Sequence, residues 1–82
     1  MSRKEKLIAR MRANPVGVRF DDACKVARWL GFEQKGGKGS HVVFVHAEGM
    51  MLNFQNRRGC IPAYQADQLI RALERFHEPE QE

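Results

Sequence analysis

Between Phe32 and Gln55 the apolar residues abandon helical spacing and gather in short runs, Val42 to Val45 and Met50 to Leu52, divided by glycine-bearing breaks at Gly36-Gly37-Lys38-Gly39 and Ala47-Glu48-Gly49. Runs of that length bounded by turn residues read as strands, and breaks that short join neighbours antiparallel. The segment therefore predicts a meander, with Phe32 to Lys35 as its first strand, Gly36 to Gly39 as a turn, His41 to His46 as the second strand and Met50 to Gln55 as the third. Three strands need their apolar face covered by other elements. A chain of 82 residues organises one core, so the cover must come from the segments on either side. The expectation is one α+β domain over residues 1–82. A large internal cavity would consume that core, so no small-molecule cofactor is expected and chemistry is placed on the surface.

Both flanks read as helices. From Ser2 to Asn14, good helix formers surround Leu7, Ile8 and Met11, and Pro15 marks Asn14 as a stop. Next, Asp21-Asp22 reads as an N-cap pair, with Ala23, Val26, Ala27 and Leu30 following at three- and four-residue steps until Gly31. Trp29 falls beside that stripe. Pro62 suits the first turn of a last helix whose apolar face is Ala66, Leu69, Ile70, Leu73 and Phe76, and Pro79 forbids its continuation. Residues 78–82 are expected to be a frayed acidic tail. The resulting order is α-α-β-β-β-α. Without the additional basic first helix over residues 2–14, it is the order of double-stranded-RNA-binding domains.

The net charge of +4 is unevenly spread. Before Phe20 stand Arg3, Lys4, Lys6, Arg10, Arg12 and Arg19 against Glu5 alone, whereas from Glu74 onward Glu74, Glu78, Glu80 and Glu82 face only Arg75. A localised positive field attracts a polyanion, so nucleic acid is the first partner to consider. The apolar runs fall far short of the ~20 residues that span a bilayer. The basic start is not followed by an apolar stretch with a cleavage site. These features predict a cytoplasmic protein with no membrane partner, in which Cys24 and Cys60 remain structural thiols.

The segment Lys35-Gly36-Gly37-Lys38-Gly39-Ser40-His41 concentrates the candidate chemistry. Its glycines let backbone N–H groups face an anion closely, its two lysines add charge, and His41 is its one group that titrates near neutrality. A hairpin turn would need glycines in any case. Gly31 and Gly36 have the opening spacing of a P-loop, but Gly37 stands where lysine is required and a strand follows instead of a helix. Gly36 to Gly39 matches the GXXG of KH domains only in letters. His41 and His46, five residues apart on one strand, point to opposite faces, so no metal site is expected. Arg57-Arg58, after the third strand, is a second candidate phosphate contact. Val43 and Val45 alternate with Val42 and Phe44, which puts an apolar row on each sheet face.

Taken in order, Trp29-Leu30-Gly31-Phe32-Glu33, Gly39-Ser40-His41-Val42-Val43-Phe44 and Pro62-Ala63-Tyr64-Gln65-Ala66-Asp67-Gln68-Leu69 resemble the HicA family of toxin–antitoxin systems, over Phe20 to about Arg75. The resemblance implies a double-stranded-RNA-binding-like fold, an mRNA-cleaving activity that arrests translation, and neutralisation by a cognate HicB-type antitoxin. It also implies that the histidine of Gly-Ser-His, here His41, is catalytic. The segment from Ser2 to Pro15 and the Met50-Met51 opening of the third strand depart from the family pattern.

RNA carries its own nucleophile, so a small protein need only align the 2′-hydroxyl, move protons and offset charge on the phosphoryl oxygens. In that scheme His41 is general base or general acid. Lys35, Lys38, Arg57 and Arg58 are phosphate ligands, and the N–H groups near Gly39 and Ser40 help hold the strand. Two other classes fit the same residues. A noncatalytic RNA-binding module would use His41 as a contact, and a protein-interaction subunit would use the apolar sheet row.

Overall fold

The computed structural model describes residues 2–76, so the tail expected at 78–82 lies outside the described residues. Its elements are α1 (Arg3–Ala13), α2 (Phe20–Trp29), β1 (Glu33–Lys38), β2 (His41–Val45), β3 (Met51–Gln55) and α3 (Ala63–Phe76). This is the expected α+β order. Among the described residues no helix is long and apolar enough to cross a membrane.

Local chemistry sets the helix ends. The Ser2 hydroxyl accepts the Glu5 N–H at 3.1 Å, satisfying one of the orphan donors at the start of α1. Asn14, before Pro15, leaves the helical region with φ −144°. The expectation of an Asp21-Asp22 cap on α2 is corrected: the helix begins at Phe20, and Arg19 is its N-cap without a side-chain hydrogen bond. Arg19 is committed by pairing, forming an antiparallel bridge with Cys60 while the Phe20 N–H donates to the Gly59 carbonyl at 2.9 Å. Asp21 and Asp22 occupy the first turn instead, where the positive end of the helix dipole favours carboxylates. In α3 the Pro62 carbonyl accepts from both Gln65 and Ala66, at 3.0 and 3.1 Å.

The sheet order is β1-β2-β3, antiparallel throughout. The first strand is longer than its composition suggests. Gly36 and Gly37 pair with Val43 and Val42, Lys38 pairs with His41, and a bulge between Gln34 and Gly36 absorbs the extra residue. The turn is therefore Gly39-Ser40, not the four residues from Gly36. Positive φ at Gly39 (63°) but not at Ser40 is the pattern of a type II′ hairpin, whose twist matches the strands it joins. Gly37 is in the strand for lack of room, because a Cβ there would collide with the His41 carbonyl oxygen.

Alternation then sorts the faces. Val42, Phe44, Leu52 and Phe54 point inward, against Ala23, Val26 and Ala27 of α2 and Ala66, Leu69 and Leu73 of α3. Leu7, Ile8 and Met11 add α1 to the same core. The helices α2 and α3 cover the inner face, with α1 packed against α3, which leaves the outer face of the sheet to solvent.

Candidate active site on the outer face of the sheet

His41 opens β2 and is exposed. As first residue of the strand it stands opposite Lys38 across one ladder and opposite Gln55 across the other. Directly opposed residues place their Cβ atoms about 4.5–5.5 Å apart, so all three side chains share one patch of the outer face. The Arg57 guanidinium donates to Gln55 Oε1 at 3.1 Å, which brings a second cation to within one side chain of the imidazole. Among the described residues no group hydrogen-bonds to the His41 ring, so the exposed imidazole is uncommitted.

Two ties hold this corner. The Asn56 N–H donates to the Ser40 carbonyl at 2.7 Å, locking the end of β3 to the hairpin turn. Behind it the Gln55 N–H donates to Gln65 Oε1 at 2.7 Å. Gln65 is buried on the apolar stripe of α3, and a buried amide needs partners of this kind to offset its desolvation. Neither glutamine was among the expected site residues. Gln65 was detectable as a polar side chain four residues before Leu69 on an otherwise apolar helix face, whereas Gln55 emerges only from the strand register.

The loop after β3 is a second tight turn. Arg57 and Cys60 exchange backbone hydrogen bonds of 2.7 and 3.1 Å, and Arg58 and Gly59 between them both have positive φ, 54° and 90°. That combination is a type I′ turn, normally built from Asn, Asp or Gly. Arginine pays a steric penalty there, and the turn persists because the Gly59 N–H is held by Asn56 Oδ1 at 2.7 Å and its carbonyl by Phe20. Arg58 is thereby carried on a rigid tip beside Arg57.

The structure thus gathers Lys38, Gly39, Ser40, His41 and Arg57 at one corner, with Arg58 on the adjoining turn. It does not bring Lys35 to them. Lys35 lies three residues back along β1, about 10 Å at strand rise, and its ammonium is 2.9 Å from the Glu33 carboxylate. That pairing holds the Glu33 carboxyl below its ordinary range through hydrogen bond and charge. Of the three glycines expected to face a phosphate, Gly36 and Gly37 belong to β1, opposite Val43 and Val42, and Gly39 forms the turn. His46 faces the other way. Its ring stacks on Phe76 at 3.8 Å between centroids, meets Phe32 edge-on at 5.1 Å, and accepts the Glu48 N–H on Nδ1 at 3.0 Å. It is a packing residue.

One imidazole flanked by two cations on an open sheet surface is equipped to move a proton next to a bound phosphate. An extended strand of nucleic acid, unlike a small metabolite, does not need an enclosed pocket to be held there. Compared with known proteins, the chain matches no family model, no curated protein and no solved structure.

Proposed function

We propose that the chain is an endoribonuclease of the HicA toxin kind, acting in the cytoplasm on mRNA without a metal cofactor and restrained by a HicB-type antitoxin. One observation carries the reading: the histidine of the Gly-Ser-His motif stands exposed at a hairpin corner, opposite Lys38 and one side chain from Arg57. In the proposed reaction the 2′-oxygen forms a bond to phosphorus as the bond to the 5′-oxygen breaks. The 2′-hydroxyl proton leaves as the 5′-oxygen acquires one, and the products are a 2′,3′-cyclic phosphate and a 5′-hydroxyl. His41 takes the first proton or supplies the second, a role typically worth ~10²- to 10⁴-fold in rate. Lys38 and Arg57 offset the charge that develops on the phosphoryl oxygens. An acidic antitoxin laid over this basic corner would block RNA by charge and by bulk.

Induced expression of wild type beside His41→Ala, with growth and a reporter mRNA followed together, tests the reading in cells. The expected result is growth arrest and loss of message with wild type only, circular dichroism showing both proteins folded. Equal harmlessness would make the chain a noncatalytic RNA binder, and equal toxicity would remove His41 from the chemistry.

A further inference from the structure

The helical side of the molecule carries a feature that the outer sheet face does not use. Arg3, Lys6 and Arg10 recur at i, i+3 and i+7 along α1, and Asp22, Lys25 and Trp29 do the same along α2. Residues at those spacings share one helix face. The two stripes line a common open groove of about 840 Å³. Lys4 sits 5.7 Å from the Trp29 ring centroid, while Arg10 and Asp22 meet again in the adjoining cleft, so the helices run antiparallel along the groove. Its carboxylate is thus confined to the Arg10 end, while Lys4 lies over the indole and Arg3, Lys6 and Lys25 line the groove with it. Among the described residues none of Arg3, Lys6, Arg10 and Lys25 is ion-paired. Like charges at i, i+3 and i+4 disfavour a helix, and no ion pair among the described residues offsets that local cost on α1. Trp29 remains 42% exposed, in contrast to the buried Val26 and Ala27 beside it.

We infer that the α1–α2 groove is a binding site for single-stranded RNA, separate from the His41 corner. A positively charged groove that tracks a phosphate backbone, with an aromatic ring on which a base stacks, is the usual construction of sequence-tolerant single-strand sites. Trp29 is the stacking platform, Lys6, Arg10 and Lys25 meet successive phosphates, and Asp22 repels the strand at one end and so sets where it leaves. The helices cover the inner face of the sheet and His41 lies on the outer face, so the groove can hold a strand whether or not His41 cuts it. The inference does not rest on the nuclease reading.

Trp29 is the only tryptophan in the chain, so its fluorescence reports on the groove alone. The experiment titrates single-stranded oligouridylate into the full chain carrying His41→Ala, reading both Trp29 emission and the anisotropy of the labelled oligonucleotide. Saturable quenching is expected, with affinity falling against salt at a log–log slope of about −2 to −3 for three to four neutralised phosphates. The double variant Lys6→Glu, Arg10→Glu, checked for folding by circular dichroism, should weaken binding at least about tenfold. Lys35→Ala, on the sheet and outside both surfaces, should leave the quenching unchanged. Anisotropy that rises without quenching places the RNA elsewhere and overturns the inference while sparing the nuclease reading. Quenching untouched by the double reversal overturns it too, as does equal competition by polyglutamate, which would make the groove a site for an acidic protein segment.

Discussion

Alternation along β2 decides which histidine meets solvent: His41, Val43 and Val45 share the outer face, and Val42 and Phe44 share the inner one. The same arithmetic separates the lysines. Lys38, opposite His41, is expected to matter to RNA cleavage, and Lys35, ion-paired with Glu33 at 2.9 Å, is not. Lys38→Ala and Arg57→Ala should each lower the cleavage rate about 10- to 100-fold, since each removes a cation from the developing phosphoryl charge. Lys35→Ala should stay within about twofold, because an exposed ion pair contributes little to either fold or field. Rates on one RNA substrate decide this. The cysteines separate by burial. Cys24 is buried and Cys60 half-buried, and desolvation, only partly countered by Arg28, pushes the Cys24 thiol above its ordinary 9.0. A thiol whose folded value is raised lends stability below the unfolded value, and that stability is lost as pH rises through the folded one. Thermal melts should therefore show an alkaline loss above about pH 9 that Cys24→Ala abolishes. An unchanged alkaline slope in the variant would assign the loss to other groups.

At the scale of elements, the periodicities of α1 and α3 and the Val-rich run of β2 were legible because burial imposes them directly. The first hairpin was not. Gly36-Gly37-Lys38-Gly39 reads as a turn on composition, yet only Gly39 turns, since the choice of glycine at position 37 answers the close approach of the His41 backbone across the ladder. A one-dimensional reading has no access to that approach. The start of α2 differs for a related reason: two aspartates are good caps in isolation, but a long-range bridge from Arg19 to Cys60 fixes the N-cap at Arg19, at least two residues earlier. Gln55, opposite His41, was likewise hidden until the register was known. Two substitutions test these assignments. Gly37→Val should open the hairpin and cost at least about 1–3 kcal/mol, the range for forcing side-chain volume into a packed site. Arg58→Gly should stabilise the domain by about 1 kcal/mol in thermal unfolding, since it relieves the left-handed penalty of a residue with φ 54°, and should weaken RNA binding as well. A variant no more stable than wild type would mean that the turn is unstrained.

On the scale of the whole molecule, one core separates two surfaces. Phe44, Leu52 and Phe54 are fully enclosed between sheet and helices, with the His41 corner on the outer face of the sheet and the α1–α2 groove on the helical side. Small domains hold only about 0.05–0.15 kcal/mol of stability per residue, which makes a surface site the economical choice: it takes nothing from the core. The candidate site was legible in part for this reason. A chain too short for a cavity, a glycine-rich hairpin and one neighbouring histidine narrow the chemistry to the surface of a sheet. What the chain cannot reveal in one dimension is the partnership of His41 with Lys38, Gln55 and Arg57, which is created by pairing three strands. The central claim is that His41, unaided by a metal, moves the proton in RNA transesterification. The most direct measurement incubates purified wild type and His41→Ala with a defined RNA in excess EDTA and analyses the new ends. The account predicts fragments ending in a 2′,3′-cyclic phosphate with 5′-hydroxyl partners from the wild type, and none above background from the folded variant. Cleavage that needs a divalent ion and leaves a linear 3′-phosphate, or equal cleavage by both proteins, would contradict it.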